Sequence, residues 1–142
     1  MRTARWTLGV GGILLAAAVV VAARPWPSRA TVQVTVSARC AGPNSTEVTV
    51  SPWNVRLQQD DEIEWVIAAN ANSDNISVTP KATSGWPFPS RGPFNAAKGQ
   101  PARANRMRPN SRGGYKYNIQ LVCQAGNNPP DTVIIDPDVI VN

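Results

Sequence analysis

The 142 residues contain no histidine. Without imidazole the chain cannot assemble a Ser-His-Asp or Cys-His nucleophile, and it cannot build a His-rich zinc or iron site. Cysteine is scarce too, limited to Cys40 and Cys123. Acid is absent between Asp74 and Asp131, a stretch that holds Lys81, Arg91, Lys98, Arg103, Arg106, Arg108, Arg112 and Lys116. Charge of either sign is absent from Trp6 to Ala23. After residue 30 no segment sustains a 3.6-residue apolar period, which leaves an all-β chain.

The uncharged run follows Arg2 and Arg5 in "MRTAR" and stops at Arg24. That is the basic region and apolar region of an export signal. Val21-Ala22-Ala23 offers small residues for cleavage, whereas Arg24 and Pro25 directly after it disfavour cutting there. The run also approaches the length that spans a hydrocarbon core of roughly 30 Å. Residues 1–24 therefore read as a signal peptide or a signal anchor. Either way the positive-inside tendency sends the following residues across the membrane, to a periplasmic or extracellular location. No cysteine directly follows the run, which argues against a lipid-anchored form.

From residue 30 the apolar residues alternate with polar ones. "TVQVTVSARC" puts Val32, Val34, Val36, Ala38 and Cys40 on one face. "EVTVSPWNVRL" continues with Val48 and Val50, breaks at Pro52 and resumes at Val55 and Leu57. "EIEWVIA" aligns Ile63, Trp65 and Ile67, "NISVT" offers Ile76 and Val78, and "YKYNIQLVC" aligns Tyr115, Tyr117, Ile119, Leu121 and Cys123. Two apolar runs around Asp136-Pro137-Asp138 close the chain. Six or seven short strands with one apolar face each predict an antiparallel β-sandwich over residues 30–142.

Export places both cysteines in an oxidising compartment, and parity points both inward, so a Cys40–Cys123 disulfide is expected. It would close a loop of about 84 residues, for which chain entropy assigns roughly 4 to 5 kcal/mol.

Residues 80–114 break the pattern. The segment is rich in proline and glycine, yet "SGWPFPSRGPF" carries Trp86, Phe88 and Phe94. The first half is expected to pack on the sandwich, and the second half, "AAKGQPARANRMRPNSRGG", to form a mobile basic arm. Its Arg103, Arg106, Arg108 and Arg112 are the anion-binding candidates, set against the reading of a solubilising loop. Export makes nucleic acid a poor partner, whereas anionic lipid headgroups or an acidic envelope polymer are within reach.

"SPWNVRLQQDDEIEWVIA", "DNISV" and "GGYKYNIQLVCQAG" together resemble a cupredoxin. The resemblance implies a Greek-key sandwich and, in a copper-binding member, two imidazoles, a thiolate and a weak axial thioether around the metal. This sequence departs from that set. Asn75 or Ile76 stands where the first imidazole belongs, and Ile119 stands where the rhythm reaches the copper cysteine. Cys123 comes four residues later and is followed by "QAGNNPPDT", without a ligand loop. Neither a metal site nor another cofactor is expected.

Carboxylates are the remaining catalytic groups. Asp60, Asp61, Glu62 and Glu64 cluster at a hairpin, and Asp136 and Asp138 flank Pro137. They could ligate Ca²⁺ or serve as an acid/base pair, against the reading of turn chemistry and solvated faces. "NST" at Asn44 and "NIS" at Asn75 match a glycosylation acceptor. Trp53, Trp65 and Trp86 read as core and rim packing.

The functional expectation is a non-enzymatic, copper-free, cupredoxin-like module of the cell envelope. Its partner would be an anionic envelope component or another envelope protein, with membrane contact only through an uncleaved N-terminal segment. The alternatives are a structural subunit that pairs through an edge strand, and a Ca²⁺ protein or carboxylate hydrolase.

Overall fold

The computed structural model describes residues 29–41, 45–123 and 130–142. The expected leader and the Asn44 motif lie outside these residues. Among the described residues ten strands form: β1 (Thr31–Cys40), β2 (Thr46–Ser51), β3 (Asn54–Leu57), β4 (Glu62–Ile67), β5 (Asn75–Pro80), β6 (Phe94–Ala97), β7 (Ala102–Ala104), β8 (Gly113–Cys123), β9 (Asp131–Ile135) and β10 (Asp138–Val141). One sheet has the order β2-β1-β4-β7. The other runs β3-β10-β8-β5-β6, with β9 beside the second half of β8.

The alternating residues meet between the sheets. Val34, Val36, Ile63 and Trp65 from the first sheet face Val55, Leu57, Val78, Tyr117, Ile119 and Val139 from the second, and all are buried. Pro52 and Trp53 form the corner where the chain leaves the first sheet and enters the second. Proline cannot donate to a ladder, so β2 stops before it. Beyond the corner, the Asp138 N–H donates to Trp53 O at 3.3 Å.

Both sheets are mixed, which corrects the expectation of an antiparallel sandwich. β1 and β4 run parallel, Val34 opposite Trp65, and so do β3 and β10, Val55 opposite Val139. Period-two alternation follows from the pleat of a single strand and is the same whichever way its neighbour runs.

Residues 80–114 also differ from expectation, because the second half is not a detached arm. Ala102–Ala104 forms β7 at the edge of the first sheet, pairing Ala104 with Ile63 and Ala102 with Trp65. Phe94–Ala97 forms β6 at the edge of the second, and a turn at Lys98-Gly99 joins the two edges. Ala102, Ala104 and Met107 are buried, as are Trp86, Phe88 and Phe94. Side chains of the size of Phe88 each stabilise by roughly 1.5 to 3 kcal/mol when fully buried. Gly92 is what lets the chain turn into β6: its φ is +75°, and a Cβ there would lie 2.9 Å from the Phe94 nitrogen.

Candidate anion-binding end

Strand register sorts the loops to two ends of the sandwich. Thr31 faces Glu62, Ala104 faces Ile63, Val141 faces both Leu57 and Gly113, and Pro80 faces Tyr117. One end therefore gathers the start of β1, the Gln58–Asp61 turn, the loop from Lys81 to Pro93 and the loop from Asn105 to Arg112. The opposite end holds the disulfide.

The turn is built by its own carboxylates. Asp60 takes a positive φ of 77°, which Asp tolerates better than most residues. Asp61 is buried, and its two oxygens accept the Gln58 N–H at 2.8 Å and the Ala30 N–H at 3.1 Å. The second bond pins the arriving chain to the turn. Arg29 adds an ion pair with Glu62 at 3.4 Å.

The two loops are fastened to each other. The Arg108 N–H donates to Pro87 O at 2.8 Å, its guanidinium reaches Pro89 O at 3.4 Å, and the Ser111 hydroxyl donates to Arg108 O at 2.9 Å. The Tyr115 hydroxyl donates to Arg112 O at 3.1 Å.

The structure divides the four candidate arginines. Arg103 lies on β7 directly opposite Glu64 of β4, and the two form an ion pair on the outer face of the first sheet. Glu64 is opposite Gln33 of β1 on its other side, whose amide donates to it at 2.9 Å. The Gln33 hydrogen bond, then Arg103, hold the Glu64 carboxyl below its ordinary range, against partial desolvation. Arg103 is thus a strut of that sheet. Arg106 is at the turn but is paired with Asp60 at 2.9 Å. Arg108 and Arg112 are exposed at the gathered end and have no carboxylate partner among the described residues.

Two further arginines belong with them. Arg91 lies in the Lys81–Pro93 loop, exposed and without a carboxylate partner among the described residues. Arg56 is exposed near the end of β3, opposite Ile140, which in turn is opposite Gly114 just past Arg112. Outward parity of Arg56 was legible in the sequence; its place beside β10 was not, because that pairing is parallel and remote.

Every carboxylate of the two acidic groups has a partner of its own. Besides those above, Asp136 pairs with Lys81, and Asp138 pairs with Lys116 at 3.1 Å, the contact that raises the Lys116 pKa. Among the described residues no three of His, Cys, Asp and Glu converge at metal-holding distance.

At the opposite end Cys40 and Cys123 form the expected disulfide, with Cα atoms 5.4 Å apart. Asn72 clamps Cys40, accepting from its N–H at 2.7 Å and donating to its carbonyl at 2.9 Å. Copper does not fit here: Cys123 has no thiolate to offer, Asn75 and Ile76 supply no soft nitrogen, and the chain has no imidazole.

A groove of about 380 Å³ lies away from the arginines, on the outer face of the second sheet, lined by Asn75, Ile76, Ser77, Asn95, Gln120 and Val122. Its lining is uncharged, so it offers an anion no cation to pair with. The buried aromatics form one cluster in the core, Trp65 lying 6.5 Å from Trp86, 5.4 Å from Phe94 and 5.8 Å from Tyr117 between ring centroids. Trp53 lies apart from it, 45% exposed at the corner.

No protein-family model matches the chain, and no curated protein matches it.

Proposed function

We propose that this chain is an exported, non-enzymatic module of the cell envelope, a copper-free relative of the cupredoxins, that docks on an anionic envelope surface through its arginine-bearing end. The observation that carries this reading is a coincidence of position. Arg91, Arg108 and Arg112 lack carboxylate partners among the described residues, and they share one end of the sandwich with the point where the chain arrives from residues 1–28.

Four residues lie between Arg24 and Arg29, so the two are five Cα steps apart, a reach of roughly 17 Å when extended. An apolar segment held in a membrane would therefore keep this end close to the headgroups, with the disulfide end outward. Near an anionic leaflet each arginine contributes on the order of 1 kcal/mol. The cupredoxin-like kinship is supported by the two-layer sandwich and by the long β8 that carries the Tyr-x-Tyr rhythm to a buried Cys123.

The test is binding of the full chain to vesicles with and without anionic lipid, for the natural protein and for Arg91→Ser/Arg108→Ser/Arg112→Ser. The difference between the two lipid surfaces isolates the electrostatic part from insertion of the apolar run. Removing three charges should lower the preference for anionic vesicles by about 100-fold, and salt should erase it in the natural protein. An unchanged preference in the variant would reject the proposal.

A further inference from the structure

β9 pairs with β8 along one edge and, among the described residues, with no strand along the other. β3 does not cover it, because β3 starts at Asn54, beside Asp138. After Asp131 the strand reads Thr132-Val133-Ile134-Ile135, four β-branched residues without charge. Exposed edges are ordinarily blunted by lysine, proline or an inward charge within the strand. Here the strand's one charge, Asp131, stands at its first residue, opposite Cys123, and Pro130, Asp136 and Pro137 lie outside it, which leaves Thr132 to Ile135 without such a residue. Ile134 is 60% exposed, and Val122, on the same outer face of neighbouring β8, is 48% exposed. Val122 faces Thr132 and Gln120 faces Ile134, so the two apolar side chains are diagonal neighbours. They form one patch at the open edge.

We infer that β9 is the contact through which two copies of this chain pair, edge to edge and antiparallel, about a two-fold axis at Ile134. The axis must stand perpendicular to the sheet, so that outward residues of one copy face outward residues of the other. Centred on Ile134, it sets Ile134 against the partner's Ile134, Val133 against the partner's Ile135, and Thr132 against the partner's Asp136. Asp131 then faces the partner's Pro137, so no acid faces an acid. Asp136 is already paired with Lys81 within its own chain, and it meets a hydroxyl donor from Thr132.

The neighbouring register, centred on Val133, is worse. It sets Asp131 against the partner's Ile135, and Pro130, which lacks an N–H, against the partner's Asp136. Prolines at both ends limit the ladder to this short stretch, and a two-fold contact that uses the edge once closes at two copies rather than growing into a filament. The pairing is independent of the arginine end. It turns the arginine ends of the two copies in opposite directions, so a pair offers one to each of two surfaces.

Sedimentation velocity of the full chain in a mild non-ionic detergent tests the inference. The natural protein should dimerise with concentration. Ile134→Lys should weaken the dimer at least about tenfold, by setting like charges opposite each other at the axis, while leaving the melting temperature unchanged. The register is read by cross-linking. Facing Cβ atoms of an antiparallel pair lie about 4.5 to 5.5 Å apart, so Ile134→Cys should form an intermolecular disulfide under mild oxidation, and Thr132→Cys should not. The natural cysteines do not compete, since both are bonded to each other. A natural protein that stays monomeric, with or without protection of the β9 amides by its own residues 1–28, overturns the inference. So does an Ile134→Lys protein that dimerises equally well, or cross-linking at residue 132 instead of 134.

Discussion

Tyr117, Trp65 and Trp86 are buried, yet the Tyr117 hydroxyl and both indole N–H groups lack hydrogen-bond partners among the described residues. Burial pushes the Tyr117 pKa up to about 12; the facing Trp65 N–H offsets part of this without reaching hydrogen-bond geometry. The folded state thus holds the phenolic proton more tightly than the unfolded chain, whose tyrosine titrates near about 10. The resulting stability is fully present below about pH 10 and is lost as pH rises toward about 12, by about 2 kcal/mol. Tyr117→Phe should remove that loss and, by deleting an unpaired buried hydroxyl, change stability at neutral pH by under about 1 kcal/mol. Denaturant melts of both proteins between neutral and alkaline pH check it. The arginines separate at this scale as well. Arg103→Ser leaves Glu64, 6% exposed, without its cation, and should cost about 1 kcal/mol, with Arg103 itself largely in solvent. Arg108→Ser and Arg112→Ser should each stay within about 0.5 kcal/mol. Thermal melts of the three single variants decide. Because the Glu64 pKa is lowered, the stability it contributes is present above about pH 4.5 and is lost as pH falls through its folded value. The disulfide was legible in the sequence, since inward parity and the expected export both favoured it. The ion pairs of Arg103 and Arg106 were not, because they depend on which strands lie side by side.

The strands on either side of residues 80–114 announced themselves through alternation, and their inward faces are the ones the sequence indicated. Direction was hidden, because the parallel pairs β1–β4 and β3–β10 join segments that parity alone cannot orient. β6 and β7 were hidden for another reason: four and three residues are too few to establish a period, and proline and glycine around them imitate a linker. What the composition did signal was Trp86 and Phe88, aromatics that a linker has no use for. Phe88 is fully buried against Trp86, ring centroids 5.3 Å apart. Phe88→Ala should therefore destabilise the whole domain by about 3 to 5 kcal/mol, as a core truncation does, with a single cooperative transition at lower temperature. A loss under about 1 kcal/mol would mean that the segment lies on the sandwich without holding it.

For the molecule as a whole, the two ends are chemically unlike. One is closed by the disulfide between the first sheet and the second. The other gathers the arriving chain, a carboxylate-built turn, and loops whose arginines outnumber their partners. The net charge of +5 gave no hint of that asymmetry, since it appears only once register has brought residues 29–31, 58–61, 81–93 and 105–112 together. The central claim is that this end meets an anionic surface. Hydrogen exchange of the full chain on anionic and on zwitterionic bilayers tests it most directly, because it reports where contact occurs as well as whether it does. Slower exchange confined to residues 85–93 and 105–112, on anionic bilayers only and abolished by salt, is the result expected. Identical exchange on the two surfaces, or protection at the disulfide end, would contradict it.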